Sequence, residues 1–111
     1  MISSGRRGRA DGTPEFREWF RSLADQTLKQ ELSSVFDTLE GNPTAGDRVE
    51  RDRWPDHPLY RNINNLFRIW VNKQARLTYT LVGDRNSRVI VVRVIEFFPS
   101  HKEYDRRFRY N

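Results

Sequence analysis

A chain of 111 residues with 20 Lys and Arg, 15 Asp and Glu and a net charge of +5 has the size of one domain built around a single core. The absence of cysteine excludes disulfides and thiolate chemistry, and no apolar run approaches the ~20 residues of a membrane span. Seven Phe, four Tyr and three Trp argue for a packed chain over a disordered one. The first twelve residues lack the apolar segment of a signal peptide, so the expected location is the cytoplasm.

Residues 1–12, rich in Gly and Arg, are expected to be a basic N-terminal arm or a short edge strand, and residues 13–111 a single domain. Thr13 and Pro14 read as an N-cap and first helical residue. Phe16, Trp19, Phe20 and Leu23 then recur at helical spacing as one apolar stripe. The phase breaks around Asp25. Leu28, Leu32, Val35, Phe36 and Leu39 make a second stripe, with Gly41 expected just past its end and Pro43 beyond. Two stripes separated by a tight break predict a helical hairpin.

Residues 42–63 hold three prolines and mixed charge without a lasting period, which predicts a long connection. Strand signals follow. Residues 66–71 alternate, with Phe67, Ile69 and Val71 on one face and Arg68 and Trp70 on the other. Residues 75–82 alternate in the same way, with Leu77, Tyr79 and Leu81 opposite Arg76, Thr78 and Thr80. After a turn over 83–87, residues 88–98 are β-branched and nearly continuously apolar, as suits a central strand. Pro99 ends that run and leaves a polar tail. The expected fold is α+β: an N-terminal helical hairpin packed on one face of a small twisted antiparallel β-sheet, whose other face is open and carries Arg68, Trp70, Arg76, Thr78 and Thr80.

The cations are overwhelmingly arginine; the lysines are Lys29, Lys73 and Lys102. Arginine's planar fork matches phosphate bidentately and stacks on bases, which favours a nucleic-acid or acidic-protein partner. Only two histidines are present, His57 and His101, with no metal-ligand spacing, phosphate-binding glycine loop or serine-nucleophile motif, so no metal and no cofactor is expected. What remains is Arg68, Trp70 and Arg76 on the sheet and His101, Lys102 and Tyr104 directly after the long strand. Arginines can hold a phosphodiester and stabilise charge developing on it. His101 and Tyr104 can exchange protons, and Trp70 or Tyr104 can stack a base. Those groups suffice for metal-free RNA cleavage by the ribose 2′-hydroxyl. The same residues also read as solvated surface charge, and Arg106 in the basic run 105–109 as either a solvated face or part of a phosphate-binding strip.

The segment LFRIWVNKQARLTYTLV, then a β-branched strand, then SHKEYDRRF, resembles the RelE/ParE toxin superfamily, the toxin halves of type II toxin–antitoxin systems. LEGNPTAGDRVERDRWP is similar to the family's link between hairpin and sheet, and the resemblance covers roughly residues 13–110. It implies that Arg76 and Tyr79 match the family's arginine-x-x-tyrosine strand, with Arg76 on the scissile phosphate of mRNA in the ribosomal A site. It implies Arg68 and Lys102 as phosphate-holding residues, and His101 and Tyr104 as the acid/base group and a stacking tyrosine. Trp70 stands where such nucleases carry a second basic residue. The partners implied are mRNA, the ribosome and an acidic cognate antitoxin from an adjacent reading frame. A ribosome-dependent endoribonuclease (mRNA interferase) is the leading expectation; a ParE-like toxin acting on DNA gyrase, or a non-catalytic binding relative, are the alternatives.

Overall fold

The computed structural model describes residues 8–83 and 89–108. The turn expected over 83–87 lies outside them from residue 84 on. The chain opens with β1 (Gly8–Gly12), followed by α1 (Pro14–Arg21) and α2 (Gln26–Gly41). Thr13 caps α1, its hydroxyl accepting from Phe16 N–H at 3.2 Å, and Pro14 takes the first helical position, where its missing N–H costs nothing. Asp25 caps α2 in the same way, accepting from Leu28 N–H at 3.1 Å. Gly41 is the last residue of α2 and not the residue beyond it, and Asn42 closes the helix through its N–H to Thr38 O at 2.8 Å.

Four further strands complete one sheet: β2 (Asp47–Arg48), β3 (Phe67–Trp70), β4 (Arg76–Gly83) and β5 (Ile90–Phe98), in the order β1-β5-β4-β3-β2. Two expectations are corrected here. The helical pair is not N-terminal, because β1 precedes it, and the sheet is mixed, because β1 runs parallel to β5 while the other pairs are antiparallel. Pairing creates β1: GRADG has little strand propensity of its own, and its outward Ala10 N–H is met by a Glu40 carboxylate oxygen at 3.0 Å.

Helices α1 and α2 cover one face. Their stripes meet Phe67, Leu77, Tyr79, Val92 and Val94 in the main core, where Phe36 stands edge-on to Phe16 and Phe20. Tyr79 is fully buried, stacked on Phe67 with centroids 5.3 Å apart. Its hydroxyl donates to Pro43 O and accepts from Gly46 N–H, both at 3.0 Å. Gly46 has to be glycine: a Cβ there would stand 2.4 Å from Arg68 O and 2.7 Å from the Tyr79 hydroxyl.

The opposite face is not open, as the alternation predicts; it is covered by a second core. The segment between β2 and β3 supplies Val49, Tyr60 and Leu66. The tail, expected from sequence only to be polar, forms α3 (His101–Phe108), which lays Tyr104 and Phe108 against Ile95 and Phe98. Thr78 and Thr80 are therefore buried rather than exposed. Their hydroxyls are satisfied locally, Thr80 by the Asn65 carbonyl at 2.8 Å and Thr78 by Tyr60 at 2.9 Å. A bulge opposite Thr78 and Tyr79 inserts Ile95 into β5, so that Ile95 and Glu96 both face this second layer. Glu96 accepts the Tyr60 hydroxyl proton at 2.8 Å and a bidentate pair of bonds from Arg107, the shorter at 2.7 Å. This network fastens α3 to the sheet. Burial, and secondarily the Glu96 charge, push the Tyr60 hydroxyl's ionisation well above its ordinary value, and the Glu96 hydrogen bonds raise that of Arg107.

Candidate functional site

Where β3 ends and β4 begins, the sheet meets the first turn of α3. The β3–β4 register places Trp70 directly opposite Arg76, so their side chains share a face, with Arg68 two residues along it. Alternation along β4 buries Leu77 beneath the helices and directs Arg76 the other way. Ser100, Glu103 and the Glu96–Arg107 pair fix the start and end of α3, which brings His101 and Tyr104 over the same corner.

Arg76 is the centre. Its guanidinium lies between two rings, 4.2 Å from the centroid of Trp70 and 4.7 Å from that of Tyr104. Its Nη2 is 2.8 Å from His101 Nδ1. Guanidinium can only donate, so Nδ1 must be the accepting nitrogen and the imidazole is in its neutral Nε2–H form. Nε2 in turn stands 2.9 Å from Asp105 Oδ2. Arg68 Nη1 donates to the Tyr104 hydroxyl at 3.1 Å. Asp47, Arg68, Ile69, Trp70 and Arg76 line a cleft of about 60 Å³ beside this cluster, room for a few waters. Among the described residues, two buried side-chain polar atoms lack a hydrogen bond, Arg76 Nε and Asp105 Oδ1, and both belong here.

The structure thus brings Arg68, Trp70, Arg76, His101 and Tyr104 together. Trp70 is 50% exposed and can offer ring surface to a ligand. Tyr104 cannot: it is fully buried, stacked on Phe108 at 4.3 Å and edge-on to Phe98, so it supports the two arginines and is closed to a base. Lys102 is exposed one residue beyond His101. Arg106 is not part of the cluster. It lies about 140° round the helix from His101, 3.9 Å from Glu103, beside Glu96 and Phe97.

Sequence reasoning missed Asp105 and Asp47. The His-x-x-x-Asp spacing of 101 and 105 was the available signal, but it means proximity only on a helix. Asp47 reaches the site through a two-residue strand paired with Arg68, for which no local pattern exists.

Wider depressions lie elsewhere, among them these two, neither of which contains a histidine. One, of about 440 Å³, is floored by Phe16, Phe20 and Phe36 and rimmed by Arg17, Arg21 and Lys29. The other, of about 490 Å³, lies around Asn62, Thr80 and Arg93. Among the described residues no group of His, Asp and Glu could hold a metal ion, and no helix is long and apolar enough to cross a membrane. Comparison of the chain with protein-family models, with curated proteins and with solved structures returns no match.

Proposed function

We propose that the protein is the toxin of a type II toxin–antitoxin pair, of the RelE/ParE kind, and that it cleaves mRNA on the ribosome without a metal. The observation that carries this reading is Arg76 packed between Trp70 and Tyr104 with His101 Nδ1 2.8 Å from its Nη2. A phosphodiester drawn to Arg76 and Arg68 would lie beside the lone pair of that imidazole. As Arg76 turns its Nη2 hydrogen bond from Nδ1 to the phosphate, the freed His101 Nδ1 takes the proton of the ribose 2′-hydroxyl while the 2′ oxygen bonds to phosphorus. Charge gathering on the non-bridging oxygens is met by the two arginines. The bond from phosphorus to the 5′ oxygen breaks, and that oxygen takes a proton from Lys102 or from water, leaving a 2′,3′-cyclic phosphate and a 5′-hydroxyl. Trp70 stacks a neighbouring base.

The partner in this reading is an acidic, partly disordered polypeptide from an adjacent reading frame that folds on binding. The cleft floored by Phe16, Phe20 and Phe36 and rimmed by Arg17, Arg21 and Lys29 suits the apolar face and acidic flank of such a segment. Co-expression with the adjacent frame should restore growth and yield a co-purifying pair, whose association slows as salt rises.

The decisive assay supplies purified protein to programmed ribosomes and reads mRNA ends, with DNA supercoiling measured in parallel. Cleavage with cyclic-phosphate ends, lost in Arg76→Ala and slowed about 10²–10⁴-fold in His101→Gln, is the expected result. Trp70 in place of a basic residue favours the gyrase-binding alternative. Intact mRNA with lost supercoiling would establish that one, and no effect on either would leave a binding protein.

A further inference from the structure

We propose that Asp105 is a positioning residue for His101: its carboxylate fixes the imidazole ring and its proton so that Nδ1 faces Arg76 and the anion Arg76 receives. This rests on reading Arg76 and His101 as the reacting pair. Two independent constraints agree on the arrangement. Arg76 has no acceptor, so the nitrogen 2.8 Å from it must present a lone pair. The proton is then on Nε2, where Asp105 Oδ2 stands 2.9 Å away to receive it. The i, i+4 spacing on α3 holds the two side chains on one face.

Helix stability does not explain Asp105. It sits in the C-terminal half of α3, where the dipole disfavours a carboxylate and where Arg106 and Arg107 supply the favourable charge. Its Oδ1 is buried without a hydrogen bond, an unfavourable position for a carboxylate oxygen that serves packing alone. His101, by contrast, has a side chain 63% exposed and would turn freely about its χ angles without this second anchor. The charged groups facing it are Arg76 from β4 and Asp105 from its own helix, with Arg68 of β3 behind the Tyr104 ring. When Nδ1 accepts a proton, the ring becomes a cation beside an arginine. The carboxylate at Nε2 offsets that repulsion, as an acid paired with a catalytic imidazole does generally.

The test separates this role from the proposed activity. In the uncomplexed protein, the Nε2–H proton held against Asp105 should give a downfield NMR resonance slowed in its exchange with water, assigned by its absence in His101→Gln. Asp105→Ala should lose that resonance. Asp105→Asn keeps an acceptor oxygen, so it should retain the resonance while lacking the charge, and it guards against a misfolded alanine variant. In the ribosome assay, Asp105→Ala should lower kcat about 10- to 100-fold with KM within twofold, and Asp105→Asn should fall between it and wild type. Survival of the resonance in Asp105→Ala, or an unchanged kcat in both variants, would overturn the proposal. If the wild-type protein leaves mRNA intact, the proposed function falls, while the resonance still decides whether Asp105 holds His101.

Discussion

Removing one oxygen atom, in Tyr79→Phe, tests how the sheet is tied to the connection that leads toward the site. The ring stays, so its stacking on Phe67 and its place in the main core are preserved and no cavity is created. What goes is the hydroxyl bridging Pro43 O and Gly46 N–H at 3.0 Å each. Pro43 is buried and its carbonyl finds no other donor, which costs about 1–2 kcal/mol beyond the ~1 kcal/mol of the bond itself. Gly46 is only half-buried, so its N–H can turn to water at little further loss. The expected total is about 2–3 kcal/mol, or a fall of roughly 10 °C in Tm at this chain length. Urea unfolding followed by tryptophan fluorescence measures it, and the slope should not change, because the buried area does not. A loss under ~0.5 kcal/mol would show that the hydroxyl carries no such bridge.

Glu96→Ala should cost about 2–3 kcal/mol, less than the loss of a fully buried pair, because the Arg107 and Glu96 side chains are 32% and 20% exposed. Adding Arg107→Ala should cost little more, which a double-mutant cycle in urea would show. At alkaline pH, burial pushes the Tyr79 hydroxyl up to about 12 against an ordinary 10, and Tyr60 shifts in the same direction. The unfolded chain therefore ionises first. The Tyr79 contribution is intact below pH 10 and declines by about 2–3 kcal/mol as pH rises from 10 through 12. Tyr79→Phe should remove that part of the slope and leave the part due to Tyr60.

The elements legible in the sequence are those whose partners lie within a few residues. Thr13, Pro14 and Asp25 punctuate the helices by capping their own first turns, and Leu77, Tyr79 and Leu81 alternate because one face of β4 is buried by α1 and α2. What escaped reading depends on distant parts of the chain. The edge strand, one of the two expectations for residues 1–12, is decided at Gly8–Gly12 by pairing with β5 and not by any local pattern. Thr78 and Thr80 look solvent-facing by type, yet Tyr60 and Asn65, from the aperiodic connection, satisfy and bury them. The tail looked polar because six of the eight residues of HKEYDRRF are charged or histidine, and the two that pack, Tyr104 and Phe108, are a single i, i+4 pair. For the site, residue types gave Arg68, Trp70, Arg76, His101 and Tyr104, but only the folded helix shows that Asp105 stands beside His101 and that Tyr104 is buried beneath the two arginines.

The inserted residue in β5 has a consequence for how insertions and deletions are tolerated. Upstream of it Val94 faces α1 and α2; downstream, Phe97 packs on Trp19 and Phe98 on Tyr104. Ile95 shifts the alternation by one step, and the bulge keeps both aromatic contacts on their proper faces. Deleting Ile95 itself would leave a regular strand with Glu96, Phe97 and Phe98 on their present faces and remove one apolar side chain from the second core, whereas deleting Phe97, outside the bulge, would turn Phe98 away from Tyr104. Loss of one residue from the connection around Asp56, exposed and away from any strand, has no such lever. Length variation in this chain should therefore collect in the stretch before β3 and, within β5, be confined to the bulge at Ile95 and Glu96.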